Sequence, residues 1–570
     1  MTDSATFTTP ENEDEDLGED LGGLDDLLAS VRSQEASAPK RGRGRAKKEA
    51  PAKDFKAVLW ASADKLRAQM DAAEYKHLVL GLIFLKYISD TFVEHQQKVL
   101  QMVGDPESDY YLGDDPADHQ EALEDRDYYT QENVFWVPAD ARWEFLRARA
   151  KQPEIGQLID QALVSIEKDN PTLRGKLDKI YGSTPLDPWR LGELVDLISQ
   201  IGFGKQKGSG DVLGQVYEYF LGKFAAAEGK DAGEFYTPSH IVKTLVAVLS
   251  PHRGRVYDPC CGSGGMFIQS EKFVKSHGGK IDDISIYGQE SNPTTWRLAL
   301  MNMAIHGFAS DLGQEPADTF AKDQFMDQKF DYILANPQFN DSDWGGERYE
   351  GDKRWKYGRP PVGNANFAWL QHILWKLAPE GQAGIVLANG SMTSNQSGEG
   401  EIREAMVKDD VVEIMVELPD KLFYNFKGPV CLWFLGKDKT KRGRNRKGET
   451  LFINARSMGT MTTRVDRVLG SEDIMLIADT IHAWRGSEER SKDYINITGF
   501  CYSGTIKDIE SKDFVLTPSR YVGTEEQTDE VEPFEQKMLR LTTLLKQQRQ
   551  RQSELEQKIE DIIERLGYEF

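Results

Sequence analysis

Two short stretches bring together residue types that chemistry needs. In DPCCGSGG (258–265) a Gly-rich turn follows the strand-like RVYD and leads into a helix-like segment. Open parallel sheets bind nucleotide-like ligands at such turns, beyond the carboxyl ends of the strands. Gly262, Gly264 and Gly265 would let backbone approach a cofactor closely, and Asp258 at the strand end would accept a hydrogen bond from an amino group. No P-loop lysine follows. Taken alone, a Gly-rich turn is weak evidence, because many are merely tight turns. The second stretch is ANPQF (335–339), at the end of the apolar FDYIL. An exocyclic amine on a nucleobase is a poor nucleophile, since its lone pair is delocalised into the ring. Acceptors at its hydrogens favour the tetrahedral form that attacks a methyl sulfonium, and Asn336 Oδ1 with the Pro337 carbonyl would be those acceptors. Phe339 would stack on the base, which must leave the duplex to be reached. An Asn-Pro turn after a strand is also ordinary loop punctuation. Glu290, at the end of the next strand-like segment, is placed to accept from ribose hydroxyls. Asp318 in ADTF would accept from an adenine amino group, or simply close a turn.

Those turns need a sheet to hold them. From about Asp211 to Lys437 strand-like and helix-like segments alternate: RVYDP then MFIQSEKFVKS, SIYGQES then NPTTWRLALMNMAIHG, FDYILANP then NFAWLQHILWKLA, GIVLANG then GEGEIREAMVK, and VVEIMVEL. This order predicts an α/β fold with a parallel, doubly wound sheet and helices on both faces. VCLWFLGK and TLFINAR are expected as a closing antiparallel pair, which makes the sheet mixed.

The expected organisation is a charged tail over 1–53, a helical domain over 54–205, a catalytic domain over 206–480, an irregular connector over 481–530 and a C-terminal coiled-coil helix over 531–570. The tail is acidic from Glu11 to Asp26 and then basic, the composition of a disordered segment. Trp60, Leu66 and Met70 have helical spacing, and Leu78–Ile88, apolar nearly all round, predicts a buried helix. Residues 105–140 are polar and acidic and read as irregular. From Phe534 onward a 4,3 spacing runs through Met538, Leu541, Leu545, Gln548, Gln552, Leu555, Ile559, Ile562 and Leu566, the pattern of a coiled-coil seam.

Composition bounds the function. Four cysteines with no CxxC spacing suggest neither a disulfide framework nor a metal site. The longest apolar run is shorter than the ~20 residues of a membrane span. The N-terminus is acidic where a secretory signal would be basic and then apolar, so a cytoplasmic location is expected. A net charge of −23 opposes phosphate binding, which needs clustered Lys and Arg. Either the acid lies away from a DNA face, or another subunit supplies the grip.

With these motifs in place the chain resembles the modification subunit of Type I restriction-modification systems, an N6-adenine DNA methyltransferase family with a D-P-x-x-G-S-G-G cofactor turn and an N-P-P-F catalytic motif. The likeness extends to DVLGQVYEYFLGKFA (211–225), GEFYTP (233–238), GNANFAWLQHIL (363–374), LANGSM (387–392) and LTPSRYVG (516–523). The resemblance implies the Rossmann-like sheet of S-adenosyl-L-methionine-dependent methyltransferases. It also implies cofactor contacts from Glu234, Phe235, Tyr236, Thr237, Pro238 and Ser239, and from Asp258, Cys261, Gly262, Ser263, Gly264 and Gly265. Glu290 would sit at the ribose and Asp318 near the adenine, with Asn336, Pro337 and Phe339 as the catalytic clamp. GEFYTP before the cofactor turn, with the catalytic motif after it, matches the gamma order of amino-methyltransferases. The family's second Pro is Gln338 here, which keeps the Pro337 carbonyl and loosens the turn.

The implied partners are double-stranded DNA, a specificity subunit carrying two copies of this chain, and a restriction (nuclease/translocase) subunit, with no membrane. Arg348, Lys353, Arg354, Lys356 and Arg359, set among Tyr349, Trp355 and Tyr357, are expected to form a loop closing over DNA or the flipped base. Competing readings are an N4-cytosine methyltransferase, a cofactor-binding scaffold and a protein glutamine methyltransferase.

Overall fold

The apolar run Leu78–Ile88 lies within a 33-residue helix, Ala72–Gly104, and Leu78, Val79, Leu82, Ile83, Phe84 and Leu85 are fully buried. Around it pack the helices Phe55–Leu66, Ile155–Asp169 and Pro188–Ser199, forming one hydrophobic core with residues 216–224. Trp60 anchors this core, its ring meeting Phe220 and Phe224 edge-on at 5.4 and 4.7 Å. The computed structural model describes residues 55–523, except Gln69, Asn133, 201–215, 225–236, 281–282, Phe308, 424–425 and 488–491, together with scattered positions between Met538 and Gln552.

Residues 105–140 are more ordered than expected. They include the helices Pro116–Glu124 and Asp127–Thr130, and Asp115 caps the first by accepting from the Ala117 N–H. The Asp115 cap and the leading Pro116 nucleate the first of these helices without an apolar stripe. Tyr129 is buried, stacked on Phe92 at 4.8 Å.

The described residues form eleven strands: β1 (Gly254–Asp258), β2 (Ile284–Gly288), β3 (Ser310–Asp311), β4 (Phe330–Ala335), β5 (Leu377–Ala388), β6 (Val412–Glu417), β7 (Val430–Gly436), β8 (Glu449–Asn454), the small antiparallel pair β9 (Thr460–Met461) and β10 (Arg467–Val468), and β11 (Cys501–Thr505). All but β9 and β10 join in one central sheet, in the order β11-β8-β6-β7-β5-β4-β1-β2-β3. β1, β2, β3, β4 and β5 pair in parallel. β6 and β8 are also parallel to each other. β7 inserts antiparallel between β5 and β6, and β11 pairs antiparallel with β8.

The expected pairing of VCLWFLGK with TLFINAR is therefore corrected: the two segments are not neighbours. All seven residues of β7 are buried. A strand apolar at every position needs cover on both faces, and the slot between β5 and β6 supplies it. Residues 481–530, expected as an irregular connector, contribute β11 and the helix Ile506–Glu510, whose Thr505 cap accepts from the Asp508 N–H.

Helices cover both faces. One core lies beneath Ser239–Leu249, Gly265–Ser276 and Ser471–Arg485, the other beneath Asn366–Lys376 and Glu399–Lys408. The helix Pro293–Ile305 joins the sheet to the N-terminal core, burying Leu298, Met301 and Ile305 against it, while Arg297 pairs with Asp178 at 2.6 Å. Of the expected coiled-coil seam, Met538, Leu545 and Gln552 are helical; the remaining seam positions lie outside the described residues. No described helix is long and apolar enough to cross a membrane.

Candidate active site

After β1 the chain runs outward through β2 to β3, then returns to place β4 on the other side of β1. This reversal makes the gap beyond β1 and β4 the switch point of the sheet. Asp258 ends β1 and Asn336 follows β4, so the two motifs face one another across that gap. A cavity of about 410 Å³ opens there, lined by Thr237, Asp258, Cys261, Gly262, Ser263, Gly265, Glu290, Asp318 and Asn336. Lys76 and Leu221 of the N-terminal core also line it.

Local geometry shapes the Gly-rich turn. The Asp258 carbonyl accepts from the Gln289 N–H at 3.0 Å, and the Cys261 N–H returns a bond to the Gln289 carbonyl at 2.9 Å. Glu290 accepts from the Gly262 N–H at 3.0 Å through one carboxylate oxygen, and through the other from the Asn292 N–H at 2.8 Å. Asn292 then caps Pro293–Ile305 by accepting from the Thr294 and Thr295 N–H groups. Gly264 has φ +81° at the N-cap of the next helix, and a Cβ there would meet Met303 Cε at 2.7 Å. Gly264 does not itself line the cavity. Gly262 and Gly265 do, and a Cβ at either would meet no protein atom within 4 Å, so glycine keeps that floor as bare backbone.

Asp258 is 2% exposed and accepts from the Cys260 N–H at 3.0 Å. Burial, with the nearby Glu290 charge, pushes its pKa up to about 7, against the lowering effect of the Cys260 bond. No Lys or Arg pairs with it among the described residues. Burial also raises the Cys260 and Cys261 thiols well above their ordinary range, so neither is a ready thiolate. Asp318 accepts from its own turn, the Phe320 N–H at 2.7 Å and the Ala321 N–H at 3.1 Å.

Asn336 is 9% exposed and its amide donates to Thr237 Oγ1 at 2.8 Å. Its Oδ1 is buried with no hydrogen-bond partner among the described residues. A buried acceptor left open costs about 1–3 kcal/mol, so this atom is held ready for a donor that no described residue supplies. Beyond the motif, Asn340 (φ +54°) and Asn366 exchange hydrogen bonds at 3.1 and 2.8 Å and fix the exit of the turn.

Phe339 lies elsewhere than expected for a stacking residue. It is 8% exposed, packed edge-on against Phe423 (5.6 Å) and Phe426 (5.2 Å), and neither it nor Pro337 lines the cavity. Gln338, which stands where the family motif has its second proline, does line the cavity. The aromatic wall consists of Phe320, Trp344 and Trp369, with Phe320 4.4 Å from Trp369 and 5.1 Å from Trp344. Trp369 Nε1 is a buried donor without a partner among the described residues. Ser239 lines a small adjoining pocket, Pro238 lines neither, and Glu234, Phe235 and Tyr236 lie outside the described residues.

The basic loop is partly tied down within the chain. Arg354, 9% exposed, donates to Asp352 and to the Thr319 and Phe320 carbonyls, bracing the aromatic wall from behind. Lys356 pairs with Asp409 and Arg359 with Glu350. Three of its five cations are thus answered within the chain.

Sequence reading missed Gln289 and the aromatic wall. Gln289 is fully buried, donates to the Ala317 and Lys322 carbonyls and accepts from the Gln324 N–H, pinning the ADTF loop beside the cavity. Its place one residue before Glu290 at a strand end was the available signal. Phe320 was legible beside Asp318, whereas Trp344 and Trp369 had no local mark.

Comparison with known proteins agrees with this geometry. The family described as N-6 DNA Methylase matches residues 208–530, and the HsdM N-terminal domain matches residues 55–198. The HindI methylase subunit of a Haemophilus influenzae type I restriction enzyme is 48% identical over 76% of this chain and all of its own. The MjaIX methylase subunit from Methanocaldococcus jannaschii is 40% identical over 90% of this chain and 92% of its own. The crystal structure of a type I restriction-modification methyltransferase subunit from Streptococcus thermophilus superposes with a TM-score of 0.67 at 25% identity, covering 82% of this chain and 98% of that one. This chain belongs to the N-6 DNA methylase family.

Proposed function

We propose that this chain transfers a methyl group from S-adenosyl-L-methionine to the N6 amine of adenine within a specific DNA sequence, as the modification subunit of a type I restriction-modification complex. The observation that carries the reading is the open Asn336 Oδ1 beside the Gly-rich-turn cavity. The cofactor, when bound, supplies an electrophilic methyl sulfonium. Gly262 and Gly265 offer it bare backbone, Asp258 an uncompensated carboxylate suited to a cationic ligand, and Glu290 and Asp318 carboxylates at the rim.

Asn336 Oδ1 accepts one hydrogen of the target amine, and Thr237 holds the other end of that amide so that oxygen, not nitrogen, faces the amine. The Pro337 carbonyl is assigned to the second hydrogen. Holding both hydrogens turns the nitrogen lone pair out of conjugation with the ring and toward the methyl group. Phe339, packed edge-on against Phe423 and Phe426, has to shift to stack on a base; Trp344 and Trp369 already face the cavity. In this reading a specificity subunit, carrying two copies of this chain, reads the DNA, and a restriction subunit joins the assembly. This division of labour accommodates the charge of −23 in a cytoplasmic DNA enzyme.

The test is co-expression with the neighbouring specificity subunit and single-molecule detection of modified bases, wild type against Asn336→Ala. N6-methyladenine at one defined motif, lost in the variant, is expected. Modified cytosine instead would select the N4 reading, and a motif persisting in the variant would remove Asn336 from the chemistry.

A further inference from the structure

At the opposite end of the strands from the Gly-rich turn lies a second cavity of about 470 Å³. It opens between the start of β4, the approach to β6, the end of β7 and the last turns of Asn366–Lys376. Its charged lining is Lys329, Arg354, Lys356 and Lys437 against one carboxylate, Asp409. Four cations to one anion reverses the sign of a chain carrying −23.

Two of those cations are answered. Arg354 pairs with Asp352 at 2.6 Å, and Lys356 with Asp409 at 2.6 Å, where the Tyr357 hydroxyl also donates. Lys329 and Lys437 have no carboxylate within ion-pair distance among the described residues. Each donates instead to a carbonyl at the end of the helix, Lys329 to Trp375 and Lys437 to Leu377. The neighbouring Asp323 is committed to Lys376 at 2.8 Å. Partial burial, followed by the charges of Lys329 and Lys356, pushes Lys437 down to about 8.

We propose that this cavity binds a small phosphate-bearing anion, the phosphate chain of a free nucleotide. An ammonium has three donors, and the carbonyl bonds leave donors on Lys329 and Lys437 for phosphate oxygens. Trp375 is 38% exposed at the cavity, with the Lys329 ammonium 4.5 Å from its ring centre, so an aromatic surface stands beside the cations. The volume lies in the range of small-molecule sites. A concave pocket of this size receives a free phosphate chain, whereas a duplex presents its phosphates on a convex surface. Arg354 lines this cavity while holding the Thr319 and Phe320 carbonyls of the first, yet the two openings lie at opposite ends of the strands.

Isothermal titration of the purified full chain with ATP, with inorganic tripolyphosphate and with a short DNA duplex tests this. Both small anions are expected to bind, and saturating S-adenosyl-L-methionine is expected not to displace them. The double substitution Lys329→Gln, Lys437→Gln should weaken both by about tenfold or more, about 1.4 kcal/mol. Lys437→Arg, which keeps the charge, should retain binding and controls for folding. The proposal is overturned if neither anion binds, if the double variant binds them normally, or if S-adenosyl-L-methionine displaces them. Loss of affinity in the double variant for the duplex alone would assign the cavity to DNA and overturn it too.

Discussion

Asp258 and Glu413 are both buried carboxylates of the same sheet, 2% and 1% exposed, yet their environments pull them in opposite directions. Glu413, in β6, accepts from Arg485 at 3.0 and 2.8 Å and lies 3.3 Å from Arg446. Burial alone would raise its pKa, but Arg485 and Arg446 outweigh burial and hold it below the ordinary carboxylate range. At Asp258 burial, with the Glu290 charge, outweighs the bond from the Cys260 N–H, and the pKa rises to about 7. Where the fold needs only stability, charge is balanced within the chain. At the switch point no described cation supplies that balance, and Asn336 Oδ1 likewise has no described donor.

The largest test of this contrast is Glu413→Gln. It leaves two buried guanidinium groups without their carboxylate and is expected to cost about 3–5 kcal/mol of stability in urea unfolding. A loss under about 1 kcal/mol would show that the cluster behaves like a surface pair. Asn336→Ala should instead leave the melting temperature near wild type while lowering the methylation rate by about 10²–10³-fold, measured in the complex with the specificity subunit.

Asp258→Asn sharpens the comparison. Cofactor affinity measured by titration is expected to fall by about 1.5–3 kcal/mol. Without cofactor the variant should be more stable than wild type at pH 8 and equal to it near pH 4. The sign follows from linkage: a carboxyl whose folded pKa is raised binds its proton more tightly when folded, so its contribution is lost as pH rises from about 4 to about 7. Glu413 has the opposite slope, its contribution lost as pH falls through its lowered pKa. The smallest effect is assigned to Gln338→Pro, which keeps the Pro337 carbonyl and should change the methylation rate by less than about tenfold, about 1.4 kcal/mol. A gain from undetectable activity would mean that Gln338 impairs the natural enzyme.

Much of the site was legible because its parts are local. NPTTWRLALMNMAIHG, helix-like in sequence, forms the helix Pro293–Ile305, and Glu290 follows β2, where its carboxylate reaches the Gly262 N–H. Asp318 was read toward both a ligand and its own turn; it lines the cavity and accepts from the turn. Phe339 was read as the stacking residue from its place in ANPQF and from the family motif, but side chains along a turn diverge, and its ring packs edge-on against Phe423 and Phe426. In the basic loop, charge counts in the sequence omit the partners Asp352, Asp409 and Glu350 that pair with Arg354, Lys356 and Arg359.

By itself, the sequence determined the alternation of strands and helices, the Gly-rich turn after β1 and the Asn-Pro turn after β4, because burial periodicity, capping and turn chemistry act over a few residues. Only the tertiary structure decided that β7 threads between β5 and β6, that Trp344 and Trp369 join Phe320 at the cavity, and that Asn336 Oδ1 remains open. It alone gathered Lys329 and Lys437 into one cavity. Those outcomes depend on side chains far apart in the chain competing for the same volume and the same hydrogen bonds, a competition with no local signature.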